Sequence, residues 1–212
     1  MWSNIRFLTP QTVFRIVKSF CMRENRNVSE GTPWMPWTVI EWFEQTLTPQ
    51  MSVFEWGSGG SSIFIAQRVR KVISVEYDVI HFFVLWIHTK LRRIANIDYV
   101  LVLPENGKAN SIYASTHAKH VGEDYEKYCK TIERFPDNSF DMISIDGRAR
   151  AGCIHLARKK VKVGGYILVD DSERVSYQDA LATLQDFERI DRGGTGPHLF
   201  YPHKTSIFKR NV

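Results

Sequence analysis

The sequence predicts an α/β fold: a mostly parallel sheet with helices on both faces, in one globular unit. Three observations carry this. From residue 51 onward, short apolar runs alternate with helical stretches. The runs are apolar nearly throughout rather than at every second position, as in strands buried on both faces. A glycine-rich turn, Gly57-Ser58-Gly59-Gly60, follows the first run, where open α/β sheets place a ligand loop.

Taken in order, residues 1–50 read as an N-terminal helical extension, and residues 51–212 as the main domain. Thr9-Pro10 offers a helix start, and Val13, Ile16, Val17 and Phe20 recur at helical spacing. After the turn-rich stretch 27–36 comes a helix over about 37–45, with Trp37, Ile40, Trp42 and Phe43 as its bulky members. The neighbouring Trp34, Met35, Pro36 and Trp37 read as core packing rather than a substrate wall. Strands are expected at 51–56, 71–76, 98–103, 140–146 and 165–170, with helices at 61–70, 79–95, 124–134 and 150–160. A helix near 177–184 precedes two last strands, 187–191 and 204–210, read as an antiparallel edge pair joined by the loop 193–197. The stretch 104–138 is longer than a crossover requires, and both a substrate-shaping and a structural insertion fit it.

The 212 residues, 43% hydrophobic and 24% charged, suit one domain with a substantial core. Cys21, Cys129 and Cys153 share no metal or disulfide spacing, which points to a reducing, cytoplasmic setting. No signal-peptide pattern opens the chain, and the longest apolar stretch, 79–87, is too short to span a bilayer. The net charge of +5 is a mild argument for an anionic partner, although ordinary surface lysines and arginines account for it as well. Neither a zinc-finger spacing nor an aromatic RNA-binding signature accompanies it, so no nucleic-acid partner is expected. The oligomeric state is open, with a homodimer compatible.

The first strand ends at Glu55-Trp56 and turns through Gly57-Ser58-Gly59-Gly60-Ser61-Ser62 into a helix. Glycines let a ligand approach the backbone, and helix N–H groups can receive a carboxylate or phosphate. A dinucleotide fingerprint would carry glycine where Ser62 stands. Glu55 would oppose a pyrophosphate but suits the ammonium and sulfonium of S-adenosylmethionine. Glu76 closes the next strand, nineteen positions after Gly57, where a carboxylate can accept both ribose hydroxyls.

On these residues the chain resembles the class I S-adenosylmethionine-dependent methyltransferases. Residues 51–78 look like their motif I and acidic loop. Phe140-Asp-Met-Ile-Ser-Ile-Asp146-Gly147 resembles their fourth strand, and Lys162-Val-Gly164-Gly165-Tyr-Ile-Leu-Val-Asp170 their fifth. The resemblance covers about residues 50–210. It implies a three-layer Rossmann-like fold with seven strands in the order 3-2-1-4-5-7-6, the seventh antiparallel. It also implies that Glu55, Gly57, Gly59 and Glu76 touch the cofactor, with Ser58, Gly60 and Ser61 contributing backbone. Asp146 would lie where sulfonium and acceptor meet, and no adenine-contacting residue after the third strand is recoverable.

Asp146, Asp170 and Asp171 fall at the tips of neighbouring strands, and crowded carboxylates need a cation, a basic residue or a proton. A divalent ion such as Mg²⁺ on these three is one solution, similar to catechol- and caffeoyl-CoA-type O-methyltransferases. Those carry Asn where Asp171 stands. The alternative is a metal-free site balanced by Arg148, Arg150 or Arg174. Asp146, Asp170 and Arg148 are the candidate catalytic residues; Arg148 and Arg150 either bind an anionic acceptor or cap the aspartates.

His117, His120 and Cys129 match no zinc spacing, and His81 and His88 read as partly buried histidines. No motif for methylating base amino groups or pyrimidine C5 is present. The expectation is therefore O-methylation of a small molecule or glycan-type acceptor, with metal assistance in the catechol manner as one of the two routes. The competing readings are an NAD(P)-dependent oxidoreductase or epimerase and a non-catalytic binding module.

Overall fold

The computed structural model describes residues 8–21, 26–107, 111–115 and 117–212. The side chains of residues 19–21, 199 and 200 lie outside the description, and with them the expected packing of Phe20 and the thiol of Cys21.

Seven strands form the main sheet: β1 (Ser52–Trp56), β2 (Lys71–Glu76), β3 (Ile97–Leu101), β6 (Phe140–Ile145), β7 (Val161–Val169), β8 (Glu188–Gly196) and β9 (Leu199–Lys209). A separate two-stranded pair, β4 (Glu105–Asn106) and β5 (Glu123–Asp124), lies in the long insertion. The main order is β3-β2-β1-β6-β7-β9-β8, which counted along this sheet alone is 3-2-1-4-5-7-6. Strands β3, β2, β1, β6 and β7 are parallel, and β9 runs antiparallel to both its neighbours. This is the fold expected from the sequence.

Alternate strand residues sort onto two faces, as the two-residue period requires. Phe54, Trp56, Ile73, Val75, Ile143, Ile145, Ile167 and Val169 build one core with Tyr125, Tyr128, Ile154 and Leu181. Val53, Val72, Met142, Leu168 and Ile207 build the other with Val39, Phe43 and Ile65. The first core is covered by α6 (Glu126–Cys129), α7 (Arg150–Lys160) and α8 (Gln178–Ala182), the second by α3 (Trp37–Thr46) and α4 (Gly60–Ala66).

Several boundaries differ from expectation. The fifth main strand, β7, starts at Val161 rather than 165, its register against β6 shifting between Phe140 and Met142. The expected loop 193–197 is mostly strand: Arg192, Gly193 and Gly194 pair with Thr205, Lys204 and His203, and the turn falls after Gly196. Ladder pairing with a long partner overrides the turn preference of glycine here. Before the sheet, α1 (Pro10–Cys21) starts as expected, with Thr9 Oγ1 accepting from the Thr12 N–H at 3.1 Å. Among the described side chains of its expected apolar face only Ile16 is buried, while Val13 and Val17 are exposed. α1 and α2 (Arg26–Glu30) join a small core with α5 (Val79–Leu91) through Ile16, Val28, Val84 and Leu85.

The register fixes the site. Trp56 pairs with Val75 and with Ile145, and Ile145 pairs with Val169. Gly57, Glu76, Asp146 and Asp170 therefore leave the sheet at one level, along its carboxyl edge. That edge is where parallel α/β sheets bind ligands.

Candidate active site

A cavity of about 670 Å³ runs along this edge. It is lined by the Gly57–Ser61 loop, by Glu76, Tyr77, Asp78 and His81 after β2, and by Asp146, Gly147 and Arg148 after β6. Asp170, Asp171 and Arg174 after β7, and His203 on β9, continue the wall. Arg150, His117 from the insertion, and Asn27 and Trp34 of the N-terminal extension complete it.

The loop is held tightly. Gly57 has φ +89°, and a Cβ there would stand 2.6 Å from the Gly147 nitrogen, so only glycine lets the two strand-end loops touch. At Gly60 a Cβ would meet the Thr32 carbonyl at 2.1 Å, so glycine admits the extension against the loop. Glu55 is fully buried beneath the loop and does not line the cavity. Its carboxylate accepts from Ser61 Oγ at 2.6 Å, from Ser74 Oγ at 2.7 Å and from Ser62 Oγ. Burial pushes its pKa up, and the three serine hydroxyls oppose that rise. The expected role of Glu55, a charge facing the cofactor's cationic groups, is therefore replaced by a structural one. Ser62, where a dinucleotide fingerprint has glycine, accepts the Gly59 N–H at 2.9 Å and ties the loop to Glu55.

Glu76 does face the cavity. It is 2% exposed and accepts the Tyr77 and Asp78 N–H groups, each at 2.8 Å on Oε1, and the Ser58 N–H at 3.2 Å on Oε2. Burial raises its pKa, and His81 and the two backbone donors lower it. His81 Nε2 lies 2.9 Å from the Ser58 carbonyl and braces the loop from α5. The N–H groups of Ser58 and Gly59 are thus both committed inside the protein, leaving the loop poorer in donors for a pyrophosphate.

The three aspartates gather as expected, around a guanidinium. Arg150 is 7% exposed; its Nη2 lies 2.8 Å from Asp146 Oδ1, and its Nη1 3.7 Å from Asp170 Oδ2 and 3.3 Å from Asp171 Oδ2. Its Nη1 also donates to the Asp170 carbonyl, and its Nε to the Gly147 carbonyl at 3.1 Å. Asp170 further accepts from Thr205 Oγ1 at 2.7 Å, and Asp171 pairs with Arg174 and with His203 Nδ1 at 2.6 Å. Burial and the neighbouring Asp170 drive the Asp146 pKa well up against the pull of Arg150; burial likewise raises Asp170.

This arrangement does not fit a metal cage on Asp146, Asp170 and Asp171. Arg150 already stands among the three carboxylates, and Asp171 turns toward Arg174 and His203. The expectation of a Mg²⁺ on these residues gives way to the arginine-balanced alternative. Of the candidate cations, Arg150 caps the aspartates, whereas Arg148 makes no ion pair among the described residues. Arg148 donates to Tyr77 Oη at 3.0 Å and lies over that ring, 5.4 Å from its centroid.

Other placements depart from expectation. Trp34 and Trp37 are 47% and 52% exposed, so they are not core; Met35, Trp42 and Phe43 are. From the insertion, Tyr125 and Tyr128 enter the main core, while His117 lines the cavity. His120 is bound to Glu123 at 2.7 Å and Cys129 lies 3.5 Å from Cys153, so the imagined zinc set is not assembled. Sequence reasoning missed Asn27, Tyr77 and His203, and gave Trp34 and His81 no ligand role. Tyr77 alone carried a readable signal, as the residue next to the strand-tip Glu76.

No family model matches the chain, nor does any curated protein. Solved structures do. The chain is similar over 99% of its length to 96% of an O-methyltransferase from Bacillus cereus in complex with SAH, with a TM-score of 0.62 and 12% identity. It is similar over 80% of its length to 87% of a precorrin 8W decarboxylase from Methanobacterium thermoautotrophicum, with a TM-score of 0.55 and 15% identity. A further similarity, over 81% of this chain and 93% of the other, is to an rRNA methylase from Streptococcus thermophilus, with a TM-score of 0.55 and 11% identity. At such identities the likeness is one of architecture, and it agrees with the strand order, the antiparallel β9 and the glycine loop after β1. The chain carries the fold of the class I S-adenosylmethionine-dependent methyltransferases.

Proposed function

We propose that this chain transfers a methyl group from S-adenosylmethionine to an oxygen of a small, negatively charged acceptor, glycan-type acids included. The observation that carries the reading is the joint wall of one cavity. The buried Glu76 at the tip of β2, the Gly57–Ser61 loop after β1 and Asp146 after β6 line it together.

In this reading Glu76 accepts the ribose hydroxyls, its carboxylate held in place by the Tyr77 and Asp78 N–H groups. Hydroxyl donors favour the charged form of a carboxylate whose burial otherwise works against it. The Gly57–Ser61 backbone, with no side chain in the way at Gly57 and Gly59, borders the amino-acid part of the cofactor. Asp146 stands between this end and the acceptor end, tied to Arg150 so that its carboxylate cannot swing. Bound S-adenosylmethionine supplies an electrophilic methyl on a sulfonium, and a neutral thioether leaves. The chain's own contribution is to place the acceptor in line with that methyl, where orientation supplies much of the acceleration.

Arg148 supports an anionic acceptor, because its charge borders the cavity with no carboxylate partner among the described residues. The half-exposed Trp34 offers a flat apolar surface in the wall of the same cavity. Acceptor oxygen is favoured by the likeness over nearly the whole chain to a protein described as an O-methyltransferase. A thermal-shift panel tests the reading. S-adenosylmethionine and S-adenosylhomocysteine are expected to raise the melting temperature and NAD(P) to leave it unchanged; the reverse pattern would reassign the site to dinucleotide chemistry.

A further inference from the structure

Resting on that reading, we propose that His203, held by Asp171, takes the acceptor's hydroxyl proton during methyl transfer. His203 is paired opposite Gly194 of β8 and lies three residues before Ser206, the partner of Val169 at the end of β7. The antiparallel return of β9 therefore carries the imidazole past the carboxyl edge of the sheet and into the wall of the cavity. Among the described residues no other strand of the main sheet reaches this edge from the opposite direction.

Two neighbours fix the imidazole. Its Nδ1 lies 2.6 Å from Asp171 Oδ1, and the Asp171 side chain is only 7% exposed. Asp171 is itself immobilised by Arg174 and by Arg150 at 3.3 Å. The Tyr201 ring stacks on His203 with centroids 4.5 Å apart. A nitrogen facing a carboxylate carries the proton, which leaves Nε2 as the bare, basic nitrogen. That Nε2 is buried and has no hydrogen-bond partner among the described residues. Folded chains rarely leave a buried acceptor unpaired, and a hydroxyl entering the cavity would satisfy it.

The step balances. The acceptor O–H bond breaks and its proton goes to Nε2, while the oxygen forms a bond to the methyl carbon. The carbon–sulfur bond breaks with its electron pair on sulfur. The positive charge lost at the sulfonium reappears on the imidazolium, beside the Asp171 carboxylate. Asp146 is less suited to this task, because its carboxyl is committed to Arg150 and crowded by Asp170.

Asp171, Glu173 and His203 also lie close enough to hold a cation, so the test must separate a base from a ligand. Histidine-labelled protein observed by long-range ¹⁵N–¹H correlation reports which ring nitrogen is protonated. The expected result is a neutral His203 with its proton on Nδ1 and a spectrum unchanged by EDTA. A proton on Nε2, or an EDTA-sensitive signal, would overturn the assignment.

The second arm uses 3,4-dihydroxybenzoate as an anionic hydroxyl probe. His203→Ala should lower kcat about 100-fold or more with KM little changed, and added imidazole should restore part of the rate. A kcat within about threefold of the parent would sink the proposal. Calorimetry with S-adenosylmethionine keeps the two readings apart: His203→Ala should bind it like the parent. If the parent itself does not bind, it is the methyltransferase reading that fails.

Discussion

Arg150 shows at single-residue scale how the site is balanced: one buried guanidinium serves Asp146, Asp170 and Asp171. Removing one partner of a buried ion cluster strands the others, so Arg150→Met should cost about 3–5 kcal/mol of unfolding free energy, read from urea denaturation. Glu55 makes a parallel case. Glu55→Ala leaves the hydroxyls of Ser61, Ser62 and Ser74 without their acceptor and should cost about 2 kcal/mol. Glu55→Gln keeps an acceptor and removes a titration. A carboxyl whose folded pKa is raised contributes stability below its unfolded pKa and loses it as pH rises through the folded value. Relative to the parent, Glu55→Gln should therefore gain stability as the pH rises above the ordinary carboxylate range, and no such gain would contradict the burial account. Glu76, Asp146 and the glycines were legible in the sequence because each sits at a strand tip or in the turn after it. The direction of Glu55 was not, since a strand's last residue can point up into a ligand site or down into the serine nest. His203 lay hidden because the sequence places it just ahead of a strand that in fact begins at Leu199.

Among the elements, the turn from β1 into α4 has little freedom. Gly57→Ala combines an unfavourable positive φ with a Cβ 2.6 Å from the Gly147 nitrogen. It should cost at least about 2 kcal/mol and weaken cofactor binding together with stability, read by thermal unfolding and calorimetry on the same sample. Unaltered stability would mean that the two loops do not touch as described. Strand and helix periodicity made the sheet readable, down to the two helices α7 and α5 that begin where the pattern places them. What it could not supply was the length of the hairpin β8–β9, where three glycines read as a loop yet are held by pairing. The apolar residues of α1 misled in the same way: spacing shows that a face exists, but only tertiary contact decides whether Val13 and Val17 have anything to cover.

Across the whole molecule, the order of strands determines the order of chemistry along the edge. Glu76 on β2, the loop after β1, Asp146 after β6, Asp171 after β7 and His203 on β9 follow one another along one cavity, which the proposed function divides into a cofactor end and an acceptor end. The N-terminal segment closes it with Asn27 and Trp34. No helix among the described residues is long and apolar enough to cross a membrane. With Arg150 in the place of a cation, methyl transfer should survive EDTA unchanged, and a loss restored by Mg²⁺ would return the aspartates to metal binding. The central claim is that Glu76 and the Gly57–Ser61 loop form an S-adenosylmethionine site, and titration calorimetry tests it most directly. The parent protein should bind S-adenosylmethionine at micromolar or tighter affinity and Glu76→Ala should show no measurable heat, at unchanged melting temperature or above. Equal binding by both proteins, or none by the parent, would contradict it.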